Sequence, residues 1–172
     1  RVQENVAQDP GMFWITYEDF VRVYAAIFCC RVLKGWKKES LSSSWCDGQM
    51  GGVISGPGGF QNPQWRLKIK SPTAAYFCLS QTLSAKMKYI MLAVVANGKK
   101  LRKPVGPSEM KSPRFFHSGA PNDSREVGFD VRILPPGEYT LIASTFDPNQ
   151  QTGCRLTIYL KDEKALDVFE EL

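Results

Sequence analysis

The sequence predicts an all-β fold, an antiparallel two-sheet sandwich of about eight short strands. Three observations carry this. Apolar residues alternate with polar ones at period two over most of the chain after Phe28, as strands with one buried face require. Turn-forming clusters recur between the alternating runs, including Asn97-Gly98, Pro135-Pro136-Gly137 and Asp147-Pro148-Asn149, where proline cannot donate to a ladder and glycine or asparagine accepts a positive φ. The stretch Leu134 to Pro148 contains both kinds of signal. Within it Tyr139, Leu141, Ala143 and Thr145 alternate with Thr140, Ile142, Ser144 and Phe146; both faces are largely apolar, so this strand is expected to be covered on both sides. The strand after it, with Cys154, Leu156, Ile158 and Leu160 on one face, reads as its hairpin partner.

The remaining elements follow in chain order. Residues 1–11 are polar and end in the turn Asp9-Pro10-Gly11. A short amphipathic helix is expected from Tyr17 to Ala26. Thr16 is a good N-cap, Glu18 and Asp19 suit the positive end of the helix dipole, and Ile15 and Phe20 form a hydrophobic staple. Phe28 to Leu33 reads as a first strand and Gly35 to Ser44 as a polar loop. The glycine-rich run after Trp45 lacks the GxxxxGK[ST] of a phosphate loop and precedes no helical pattern, which leaves an irregular loop. In Gln64 to Lys70, Trp65, Leu67 and Ile69 face in while Arg66, Lys68 and Lys70 face out. Further strands are expected at Ala75–Leu83, Lys88–Ala96, Arg114–His117 and Glu126–Ile133, with Lys99 to Pro113 an exposed loop. Leu166 to Leu172 reads as a frayed helix or a linker.

Composition narrows the function classes. The 172 residues suit one domain with a fragment of another, and 43% hydrophobic content supplies a core. No apolar run approaches the ~18 residues of a membrane span. The chain begins at Arg1 without a signal-peptide layout and reads as a piece of a longer protein. The five cysteines have neither disulfide-framework nor zinc-site spacing, and reduced, partly buried thiols in a cytoplasmic protein are expected. From Gly48 to Ser108 there is no Asp or Glu, whereas 162–172 is net acidic. Two readings stay open: the basic stretch binds an acidic partner, or basic stretch and acidic segment pair with each other. The candidate basic face is Arg66, Lys68, Lys70, Lys99, Lys100, Arg102 and Lys103. Trp65 alternates with the cations and points inward, so no stacking platform for nucleic acid is expected.

Three groups of residues resemble a known family. Phe13-Trp14-Ile15-Thr16-Tyr17-Glu18-Asp19-Phe20 is similar to the stretch closing the second protease subdomain of calpains. Trp45-x-x-Gly48, Met50-Gly51-Gly52 and Phe60-Gln61-Asn62-Pro63-Gln64 resemble the opening of the domain that follows. Leu134-Pro-Pro-Gly-Glu-Tyr139 with Ser144-Thr-Phe-Asp-Pro148 resembles its last hairpin. The resemblance implies an eight-stranded antiparallel C2-like β-sandwich at 28–161, preceded by the end of a papain-like protease core at 1–27 and followed by an acidic tail or linker at 162–172. It implies a cytoplasmic, calcium-dependent cysteine endopeptidase as the parent protein.

It also implies what this segment lacks. The family's catalytic Cys, His and Asn lie upstream of Phe13-Trp14, so no catalytic residue is expected here, and His117 matches no catalytic position. No cofactor is expected in the segment; calcium belongs to the parent's protease core. Aligned on Gly11-Met12-Phe13-Trp14, the family's flanking acidic positions are Pro10 and Met12, with Asp9 one residue out of place. A calcium ion wants several hard oxygens, so that core site is expected to be weakened or lost. The family's acidic loop after the strand matching Gln64–Lys70 is here Ser71-Pro72-Thr73-Ala74, without a carboxylate. The implied partner is the protease core of the same polypeptide, met through Phe13, Trp14, Phe20 and Tyr24. An anionic membrane or acidic protein surface is the alternative partner for the basic face, and a calpain-like scaffold without catalytic residues is the alternative parent. Phe13, Trp14, Trp45, Trp65, Phe129, Tyr139 and Phe146 are expected to be buried, most of them as core or interdomain contacts.

Overall fold

The computed structural model describes residues 13–26, 31–46 and 51–172. It divides into two units, 1–32 and 33–172.

In the first unit, among the described residues, helix α1 spans Tyr17–Val23. Thr16 caps it as expected, its hydroxyl accepting from the Asp19 amide at 3.1 Å. The helix ends a turn earlier than its apolar stripe suggests, because Tyr24 turns to extended backbone. The rings of Phe20 and Tyr24 pack 5.0 Å apart, while Phe13, Trp14, Tyr17 and Val21 remain exposed.

The second unit is an antiparallel sandwich. Its strands are β1 Lys37–Trp45, β2 Gln64–Ile69, β3 Thr73–Gln81, β4 Ile90–Val95, β5 Phe116–His117, β6 Glu126–Leu134, β7 Gly137–Thr145, β8 Thr152–Leu160 and β9 Leu166–Glu171, with a one-turn helix α2 at Pro107–Met110. One sheet runs β1-β8-β3-β6 and the other β5-β4-β7-β2-β9. Between them lies the main core, built from Trp45, Phe77, Leu79, Leu156 and Ile158 on one side and Trp65, Leu67, Leu92, Val94 and Leu141 on the other. A second cluster of Ile54, Met91, Ala93, Val95, Val105 and Ile142 covers the outer face of β4 and β7. That explains the two apolar faces of β7: one meets the opposite sheet, the other lies beneath the loops carrying Ile54 and Val105.

Four expectations are corrected. Gly35–Ser44 is not a loop; most of it is edge strand β1, in register with β8 from Lys37 opposite Leu160 to Trp45 opposite Thr152. Backbone pairing does not need apolar side chains, and a charged edge is a common guard against further pairing. β7 and β8 are not a hairpin but lie in different sheets. Both edges of β7 are taken, by β4 and β2, so the 146–151 connection crosses to the other sheet. Leu166–Leu172 is neither helix nor linker, since β9 pairs with β2 and raises the strand count among the described residues to nine. The expected burial of Phe13, Trp14 and Phe146 is not found: all three are exposed, and Phe146 pairs with the Tyr89 ring at a steep angle. The strand expected at Phe28–Leu33 lies partly outside the described residues, and its described part, 31–33, is not strand.

Candidate functional site

The charge pattern converges on β2. Its inner side chains, Trp65, Leu67 and Ile69, are buried, which fixes Arg66 and Lys68 on the outer face with Lys70 just beyond. Each cation meets a carboxylate. The Arg66 guanidinium donates through Nη2 to Glu138 at 3.0 Å and through Nη1 to Glu170 at 3.3 Å. Lys68 and Lys70 reach the two oxygens of Asp167 at 2.9 and 3.0 Å.

The flanking strands deliver those carboxylates. On β7, Glu138 stands opposite Lys68 and is backed by Gly98, whose φ of 70° suits glycine and where a Cβ would collide with the Glu138 side chain. On β9, Glu170 stands opposite Arg66, and the register shifts so that Val168 faces Lys68 while Leu166 faces Ile69. Asp167 is the extra residue of that bulge, and the bulge turns its side chain between Lys68 and Lys70.

Electrostatics follow the geometry. Hydrogen bonds from Lys68 and Lys70 hold the Asp167 carboxyl below its ordinary range. The hydrogen bond to Asp167 raises Lys68, and that to Glu138 raises Arg66. These groups are accessible to water, so the pairs are screened and set geometry more than stability. The Arg66 Nε is buried without a partner among the described residues.

The candidate basic face therefore divides. Arg66, Lys68 and Lys70 each pair with a carboxylate of the chain, Glu138 on β7 or Asp167 and Glu170 of the acidic segment. Lys99, Lys100, Arg102 and Lys103 lie on the exposed loop after β4. Lys100 donates to the Leu172 backbone oxygen at 3.0 Å, beside a groove of about 780 Å³ that Gln64, Arg102 and Glu171 help line. Gln64 pins this loop from below, its side chain accepting from the Leu101 amide at 2.7 Å and donating to the Phe60 carbonyl at 2.6 Å. The sequence reading missed Glu138, Asp167 and Glu170 as site residues, although the net acidity of 162–172 carried part of the signal.

Among the described cysteines, Cys46 is exposed. Cys78 and Cys154 are buried; burial raises both thiols, Cys154 to about 12, and a protonated thiol is a poor nucleophile. His117 is exposed on β5, its Nδ1 accepting from the Gly119 amide at 3.0 Å. No three His, Cys, Asp or Glu side chains among the described residues could together hold a metal ion. The turn after β2 has Asp162 beside Ser71, and Asp167 is engaged by two lysines. Asp9, Pro10 and Met12 lie outside the described residues, as do Cys29 and Cys30. The contact candidates Phe13, Trp14, Phe20 and Tyr24 all sit on or beside α1.

Comparison with known proteins places this geometry. Residues 36–159 match the family described as calpain large subunit, domain III. The chain is 26% identical to the mouse calpain-1 catalytic subunit over 96% of its own length and 28% of that protein's. It is 28% identical to rat calpain-5, over 88% of this chain and 27% of that one. It is 23% identical to the maize calpain-type cysteine protease DEK1, over 91% of this chain and 8% of that one. The chain thus spans about a quarter of the length of the first relatives it matches. With a matched region that covers β1 to most of β8 and a fold of two antiparallel sheets, this chain belongs to the calpain family as a domain III segment.

Proposed function

We propose that this chain is the non-catalytic structural and regulatory sandwich of a calcium-dependent cysteine endopeptidase acting in the cytoplasm. The observation that carries this reading is the domain III match across 36–159, in relatives of which it is about a quarter. Proteolysis and calcium binding would then belong to the parent's protease core, and this segment would hold the second half of that core. The aromatic side chains around α1 support the reading. Phe13 and Trp14 are 70% and 78% exposed here, and exposed aromatics of this size are typical of surfaces that pack against another body. Replacing Trp14→Ala in the parent enzyme is expected to lower its activity while leaving its catalytic groups untouched. Unchanged activity and an unchanged melting temperature would remove Trp14 from that joint.

A second reading is favoured by the loop cations. Lys99, Arg102 and Lys103 are exposed and have no ion pair among the described residues, so an anionic membrane or acidic protein surface is free to meet them. Each contributes roughly 1 kcal/mol at an anionic bilayer. Sedimentation with phosphatidylserine vesicles is expected to capture the chain at low salt and release it at high salt. Capture by neutral vesicles to the same extent would count against it.

A further inference from the structure

β9 is attached to its sheet differently from the strands around it. None of its side chains is fully buried, and only Leu166 and Phe169 lean on the main core. A backbone ladder to β2 holds it, interrupted by the bulge at Asp167, together with the carboxylates of Asp167 and Glu170 on Lys68, Lys70 and Arg66. Elements with few buried contacts open at lower free energy than the core around them. Opening β9 would uncover the bare edge of β2, three cations on one face, and the shallow apolar seats of Leu166 and Phe169.

An open strand edge binds extended polypeptide. The ladder supplies affinity and alternate side chains supply specificity. The resident segment states that specificity: an apolar residue, a carboxylate, one spacer, a second apolar residue and a second carboxylate, as in Leu166-Asp167-Val168-Phe169-Glu170. A lipid surface has no backbone to complete a ladder, so the fitting occupant is a polypeptide. We propose that the β2 edge is a docking site for an acidic extended segment of a partner protein, and that β9 is the built-in competitor which such a segment displaces by strand exchange.

The full chain tests this with a fluorescent synthetic peptide carrying the sequence of residues 165–172. Weakening the resident strand by Asp167→Lys with Glu170→Lys is expected to tighten peptide binding by about tenfold or more. A peptide with Asn and Gln in place of its acids is expected to bind about tenfold more weakly. Equal binding of acidic and neutral peptides, or no gain in the double variant, overturns the proposal. A shift of the double variant to a higher oligomer that excludes the peptide also overturns it, because a second copy would then own the edge.

Hydrogen exchange on the unmodified chain covers the case in which the double variant fails to fold. The Lys70 amide is bonded to the Ala165 carbonyl and the Leu172 amide to the Gln64 carbonyl, while the Ala143 amide, bonded to Pro63, reports on the core. Raising salt from about 0.05 to about 1 M is expected to reduce protection of the first two by about tenfold and leave Ala143 unchanged. Loss of all three together overturns the proposal, because β9 would then leave only when the sheet does.

Discussion

β7 and β9 flank the same strand and are held to it by different physics. β7 pairs with β2 in an unbroken register from Gln64 opposite Ile142 to Ile69 opposite Gly137. Its residues from Tyr139 to Thr145 are all buried, so water is excluded from both of its faces. β9 pairs with the other edge of β2 through a bulge and contributes no fully buried side chain. One flank rests on apolar burial, which salt and pH hardly touch. The other rests on backbone bonds and exposed ion pairs, which both weaken. A single strand thus divides the sheet into a part that is committed to the fold and a part available for exchange.

Mutation should expose this asymmetry. Leu141 is fully buried in the main core, and Leu141→Ala is expected to cost about 2–5 kcal/mol in denaturant unfolding. A cost under about 1 kcal/mol would mean that β7 is not the better anchored flank. Tyr139 is also buried, and its hydroxyl donates to the Pro135 carbonyl at 2.7 Å across the turn that opens β7. Tyr139→Phe removes only that bond, with an expected loss of about 0.5–1.5 kcal/mol in the same measurement. No loss would show that packing alone fixes the turn.

The smallest expected effect, and the most selective one, is on β9. The Asp167 carboxyl is depressed below its ordinary 3.8 by bonds from Lys68 and Lys70. Its contribution to attachment is therefore complete above 3.8 and disappears as pH falls through the lower folded value. Lys68 is raised above its ordinary 10.5 by Asp167, so its contribution is complete below 10.5 and disappears as pH rises through the higher folded value. Glu138 and Glu170 face Arg66 in the same row, and Lys70 shares Asp167. Protection of the Lys70 and Leu172 amides, corrected for intrinsic exchange, is expected to hold between these limits and to fall under acid before that of Ala143. Simultaneous loss would erase the distinction between the two flanks.

The site was only half legible in the sequence, for reasons that particular residues make plain. Trp65, Leu67 and Ile69 alternate with Arg66, Lys68 and Lys70, so the basic row on β2 could be read directly. Its partners could not. The bulge at Asp167 breaks the period of two, leaving Leu166 and Phe169 three apart, a spacing that imitates a helix face. Glu138 sits in a turn-rich stretch where nothing local distinguishes it. β1 was missed because its serines and lysines carry no apolar pattern; Trp45 alone marks its buried end.

By itself the sequence determined what depends on neighbours along the chain. Alternation and turn chemistry set the all-β class, Thr16 and the residues after it set the helix start, and the two apolar faces of β7 required cover on both sides. The tertiary structure decided what depends on chain segments far apart: that β7 and β8 part into different sheets, that a polar run becomes an edge strand, and that the acidic segment answers β2. A ladder bond or an ion pair gains its energy from a partner distant in sequence, and periodicity records only how a segment meets water and core, not which segment it will meet.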